Sequence, residues 1–109
     1  MTINHEENGS CGSFYIEEGG DRLAEMDYHL SSPEVMTITH TEVDEKFRGE
    51  GVGQDLVAAA VELAKKRNIK IDPVCTYAKK VMDKTEKFHA VMLFDSVEIF
   101  PMDTPRISA

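Results

Sequence analysis

Several things are scarce in this chain, and each scarcity excludes a class of protein. No apolar run approaches the ~20 residues of a membrane span. The acidic, histidine-containing start, Met1–Asn8, lacks the basic and apolar segments of a secretory signal. A cytoplasmic location, away from membranes, is therefore expected. Cysteine is limited to two residues, Cys11 and Cys75, and without a secretory signal a disulfide between them is not expected. Positive charge is also short: 12 Lys and Arg stand against 20 Asp and Glu, a net charge of −8. Neutralising phosphates requires a basic face, so nucleic acid is excluded as a partner. There is no internal repeat or low-complexity segment. The 109 residues, 41% apolar and 29% charged, fit one soluble globular domain over 1–109, expected to be a monomer with room for a single core.

The charge is unevenly distributed. Residues 1–62 hold fourteen acids and three bases, whereas residues 63–94 hold eight bases and three acids. Such a division suits a ligand with a phosphorylated tail at one end and a cationic group at the other. The individual lysines have a simpler reading as solvated side chains, and Lys65–Arg67 as a favourable helix C-terminus.

Taken in order, residues 1–11 are polar and glycine-punctuated and read as a loose arm. Ser13–Glu18 reads as a strand, and Gly19-Gly20 as a tight hairpin turn. Arg22–Leu30 alternates Ala24, Met26, Tyr28 and Leu30 with polar residues, the pattern of a half-buried strand. Val35–Val43, rich in β-branched residues, makes the third strand of a meander, with Met36, Ile38 and His40 on one side and Thr37, Thr39 and Thr41 on the other. Apolar residues at helical spacing from Val52 to Leu63 predict a helix from the preceding glycines to Arg67, with Asn68 marking its end. Ile69–Val74 is a fourth, short strand in which Pro73 forces the last residues away from a neighbour. Thr76 opens a second helix, with a break near Thr85–Glu86 before Phe88–Phe94, and 95–109 reads as a flexible tail. The order predicts a mixed α/β (α+β) domain: an antiparallel three-stranded meander, a glycine loop, a helix, a parallel strand and a C-terminal helix. The third and fourth strands, joined through a helix, are expected to be parallel, with matching ends at one edge of the sheet.

The organising stretch is Arg48–Gly53, Arg-Gly-Glu-Gly-Val-Gly. Alternate glycines let consecutive N–H groups point into one concavity at a helix N-terminus, which makes an anion cradle. The simpler alternative is a glycine turn that merely enters a helix. A dinucleotide fingerprint is excluded because Gln54 stands where its last glycine is needed, and a P-loop because Gly53 is followed by Gln54 and Asp55. At the same sheet edge the predicted topology brings His40 to Cys75. An imidazole there can take a proton and, once charged, lower a thiol pKa. Taken singly, each residue also reads as a packed core histidine or an inert apolar cysteine.

Arg48, Gly51 and Gly53 fill the fixed positions of Arg/Gln-x-x-Gly-x-Gly/Ala, the pyrophosphate-binding signature of the GNAT (Gcn5-related N-acetyltransferase) family, and the stretch from Ile38 through Phe88 resembles its short, single-domain branch. Members of that branch carry a cysteine in an Ile-x-Pro-x-Cys-x-Tyr-Ala setting, here Ile71-Asp72-Pro73-Val74-Cys75-Thr76-Tyr77-Ala78. The resemblance implies an acetyl-CoA-dependent N-acetyltransferase acting on a primary amine, with no metal. Pyrophosphate would lie on Arg48, Gly49, Glu50, Gly51, Val52, Gly53 and Gln54, and pantetheine along Thr41, Glu42 and Val43. It also implies Tyr77 as the acid that protonates the departing thiolate. Two routes follow from it: direct attack by the amine, or prior acetylation of Cys75 with His40 as base. Glu42 is a further candidate base. Longer members continue with a hairpin that forms the acceptor wall, and no such pair of strands is evident here. The acceptor is expected to be a cationic amine of a small molecule, polyamine or peptide. A CoA-binding module without turnover is the alternative, followed by a small interaction domain with no nucleotide ligand.

Overall fold

The computed structural model describes residues 2–47 and 49–93. Five strands form one mixed sheet in the order β1-β2-β3-β4-β5: β1 Asn4–Asn8, β2 Cys11–Glu18, β3 Asp21–Ser32, β4 Val35–Val43 and β5 Lys70–Pro73. Helix α1 spans Val52–Arg67 and α2 spans Thr76–Lys84, and a 3₁₀ turn over Glu86–Val91 follows the expected break. The first four strands are antiparallel neighbours, and β5 returns parallel to β4 after the α1 crossover. The expected hairpin turn is present, with Gly19 at φ 59° and Gly20 at φ 90°.

All described helices lie in one hydrophobic cluster with a single face of the sheet. Its floor is Phe14, Ile16, Met26, Met36, Ile38 and Ile71, and α1 covers it with Leu56, Val57, Ala60, Val61 and Ala64. These α1 residues recur three or four apart, which places them on one stripe. Burying each of the larger ones contributes about 1.5–3 kcal/mol. Asn68 ends α1 in the left-handed conformation, its N–H directed at the carbonyls of Ala64 and Lys65. The other face of the sheet carries no described helix.

The loose arm expected over residues 1–11 is corrected. Asn4–Asn8 pairs with β2 along its whole length, although it lacks apolar alternation. It is held from the side. His5 stacks on Phe14 with ring centroids 4.5 Å apart, and the Tyr28 hydroxyl, donating to Glu7 Oε1 at 2.6 Å, reaches it from β3. Arg67, the last residue of α1, donates to the same Glu7 oxygen at 2.9 Å. The expected tail at 95–109, like Met1, Arg48 and Phe94, lies outside the described residues.

Candidate active site

The site begins with an irregularity in β4. Met36 and Ile38 face the helices and are fully buried. Ile38 then pairs with Tyr28 while His40 pairs with Asp27, so Thr39 is the extra residue of a β-bulge. The bulge reverses the alternation. Beyond it Thr41, opposite buried Met26, faces the helices, whereas His40 and Glu42, opposite Asp27 and Glu25, face the open side.

β5 follows β4 only as far as the pair Ile38 and Pro73. The chain then turns, and the Cys75 N–H donates to the Ile38 carbonyl at 2.9 Å. This places the Cys75 sulfur 3.4 Å from the Thr41 hydroxyl. The expected partnership of His40 with Cys75 is therefore corrected: His40 has a side chain 58% exposed and lies 3.9 Å from the Glu42 carboxylate on the opposite face. Straight alternation had put His40 with Ile38, and the extra residue puts Thr41 there instead.

Cys75 is also the N-cap residue of α2. Burial pushes its thiol up, but the Thr41 hydroxyl and the first-turn amides of Ala78 and Tyr77 favour the thiolate, and the net displacement is below the ordinary cysteine range. The sulfur makes no formed cap hydrogen bond, so these amides act on it as oriented dipoles. Both cysteines are free, Cys11 exposed and Cys75 half-buried.

The mouth of α1 supplies the other part of the site. Phe47 anchors the incoming loop in the core, and the Glu50 N–H donates to its carbonyl at 3.1 Å. Gly51 caps the helix at φ 72°, a conformation that side-chain-bearing residues rarely adopt. The first intrahelical donor is Asp55, bonded to the Gly51 carbonyl at 3.0 Å. The amides of Val52, Gly53 and Gln54 precede it and point out of the helix at the positive end of its dipole. Gly53 serves another purpose: a Cβ there would collide with the hydroxyl and ring of Tyr77, which lies across it from the first turn of α2.

A cavity of about 440 Å³ lies at this mouth, and Cys75 is not among its lining residues. Thr41, Val43, Gly49, Gly51, Val52, Gly53 and Tyr77 line it, which joins the two sequence motifs in one site. Glu42 faces away from it, and Glu50 and Gln54 are exposed residues at the glycine turn and the first turn of α1. Arg48 lies outside the described residues. Phe47, Asp44 and Glu45 also line the cavity and were not among the residues expected to do so. Asp44 and Glu45 add two carboxylates to a lining otherwise made of apolar residues, glycines, a threonine and a tyrosine. Among the described residues no group of three or more metal-ligating side chains is present. No described helix is long and apolar enough to cross a membrane.

A family model described as GCN5-related N-acetyl-transferase matches residues 13–91, which include both motifs, most of β2 and all of β3, β4 and β5. The chain belongs to that family. A GCN5-like candidate N-acetyltransferase from Staphylococcus aureus, solved by NMR, is 30% identical over 83% of this chain and 87% of its own, with a TM-score of 0.65. The GNAT fold is shared with an acetyltransferase from Elizabethkingia anophelis with acetyl-CoA bound, at 15% identity, 76% and 72% coverage and a TM-score of 0.56. The Escherichia coli ribosomal-protein-S18-alanine N-acetyltransferase also has this fold, at 14% identity and a TM-score of 0.56, over 72% of this chain. This GNAT chain spans 53% of that larger structure. No curated protein matches it. The GNAT assignment makes the chain an acetyltransferase domain, of a family whose co-substrate is acetyl-CoA.

Proposed function

We propose that this GNAT chain transfers acetyl from acetyl-CoA to a primary amine, with the diphosphate of the cofactor held at the glycine end of the cavity. The observation that carries the reading is the cavity itself, which runs from outward-pointing amides at the mouth of α1 to Tyr77, with the Cys75 sulfur behind Thr41. Val52, Gly53 and Gln54 would bind the diphosphate through their N–H groups. The edge of β4 from Thr41 to Val43, which β5 has left, would receive the pantetheine arm. Acetyl-CoA supplies an acetyl group activated as a thioester. Cys75 presents a sulfur biased toward the thiolate as nucleophile, and Tyr77 presents a phenol as proton donor to a departing thiolate. His40 and Glu42 lie on the face opposite the cavity, so the reading gives neither of them the role of base.

Acetyl-CoA near 100 times its Kd should stabilise the chain by about 2.7 kcal/mol, a rise of several degrees in Tm. Gly51→Glu, which strains the cap and adds an anion to the cradle, should abolish that rise. A chain with no shift at saturating acetyl-CoA would refute the cofactor site. Mass spectrometry after mixing with acetyl-CoA should find acetyl on Cys75. Amine acetylation that persists in Cys75→Ala would instead establish direct transfer. A second reading, a CoA-binding module without turnover, is favoured by the separation of His40 from the thiol. Amine-dependent release of free CoA distinguishes the two.

A further inference from the structure

We propose that Thr41 is the positioning residue of Cys75, its hydroxyl holding the sulfur behind the Thr41 wall of the cavity and stabilising it once ionised. This rests on the reading of Cys75 as the acyl acceptor. The geometry is specific to this strand. The Thr39 bulge turns Thr41 to the helix side at the point where the chain after β5 is fastened to β4 by the Cys75 N–H and the Ile38 carbonyl. The two side chains therefore meet across neighbouring strands, with the sulfur 3.4 Å from the hydroxyl oxygen. A hydroxyl can serve both states of a thiol. It accepts from S–H, and after the proton has left for solvent it rotates to donate to the sulfur anion.

The groups around the sulfur leave this role to Thr41. From α2, the amides of Tyr77 and Ala78 face it, while the Tyr77 phenol is turned onto Gly53 of α1. Lys79 of α2 is paired with Asp83 at 3.0 Å. On β4, His40 and Glu42 face the open side, and on β5 Asp72, opposite Thr37, does the same. The hydroxyl is thus the one side-chain hydrogen-bond partner of the sulfur among the described residues.

The test is the pH dependence of iodoacetamide alkylation at Cys75 in the full chain, read by peptide mass spectrometry with Cys11 as the internal control. Thr41→Val removes the hydroxyl at nearly constant shape, and Thr41→Ser keeps it. The midpoint should move up by about one pH unit in Thr41→Val, stay close to the native value in Thr41→Ser, and leave the Cys11 profile unmoved. Thr41→Ala carries the same expectation and serves if valine perturbs folding, which circular dichroism monitors. An unchanged Cys75 midpoint in either hydroxyl-free variant overturns the proposal, as does a serine variant that behaves like valine. The assay contains no acetyl-CoA, so its outcome is separate from that of the cofactor-binding and acetyl-adduct experiments.

Discussion

At Gly53 a Cβ would run into Tyr77, and at Gly12 into the ring of Tyr28. Both glycines are the ground over which an aromatic ring crosses to reach a functional or structural partner. Gly53 is the last glycine of the phosphate-loop motif, yet its backbone is ordinary helix, so the demand at that position comes from α2. Gly53→Ala should push Tyr77 aside and, through overpacking, lower stability by about 1–3 kcal/mol and Tm with it. Differential scanning fluorimetry with and without acetyl-CoA checks it, the ligand-induced shift being expected to shrink as well. The sequence motif identified the position but not this reason for it. The contact joins residues from two separate motifs, and nothing in their spacing shows that one ring covers the other.

Among the elements, α1 was legible almost to the residue because its apolar stripe, its glycine entry and Asn68 all mark the same limits. Strands β2 to β4 were legible from alternation, and β5 from a short apolar stretch that Pro73 brings to an end. Two features were not. In β4 one extra residue reversed which side chains face the core, and alternation cannot reveal a bulge that leaves both patterns plausible. In β1 the residues Asn-His-Glu-Glu-Asn carry no apolar signal, because that strand is held by Phe14, Tyr28 and Arg67 from other elements. This attachment gives an acid-side prediction. The Tyr28 hydroxyl, and after it Arg67, hold the Glu7 carboxyl below the usual glutamate range. A depressed folded pKa stabilises fully above the unfolded value near pH ~4.3 and loses that contribution as pH falls through the lower folded value. The urea midpoint should therefore fall between about pH 5 and pH 3, and fall less in Glu7→Gln.

For the whole molecule, the decisive asymmetry is that the described helices cover one face of the sheet and leave the other bare. Glu6, Glu25, Asp27 and Glu42 share the bare face with His40, and Arg22, lying over Tyr15, is engaged by Glu6 and Glu25. A hydrogen bond with Asp27, with burial and the Asp27 charge added, pushes the Glu25 carboxyl up, a sign that negative charge is crowded there. The proposed cationic acceptor would be drawn to this face. Raising the ionic strength from about 0.05 to 0.5 M should then raise the KM for the amine several-fold, because exposed charges are screened over a few ångströms at high salt. Steady-state kinetics should show no parallel rise in the KM for acetyl-CoA, an anion on a chain of net charge −8.

The phenol of Tyr28, buried over Gly12 and aimed at a carboxylate, resists ionisation well beyond the usual tyrosine range, first through burial and then through Glu7. Its contribution is complete below the unfolded value near pH ~10 and is lost as alkali climbs toward the folded one. With no tryptophan to mask it, the near-ultraviolet spectrum belongs to three tyrosines. The chain thus contains a built-in optical gauge of its own alkaline limit: a tyrosinate band from Tyr28 emerges as the first strand lets go.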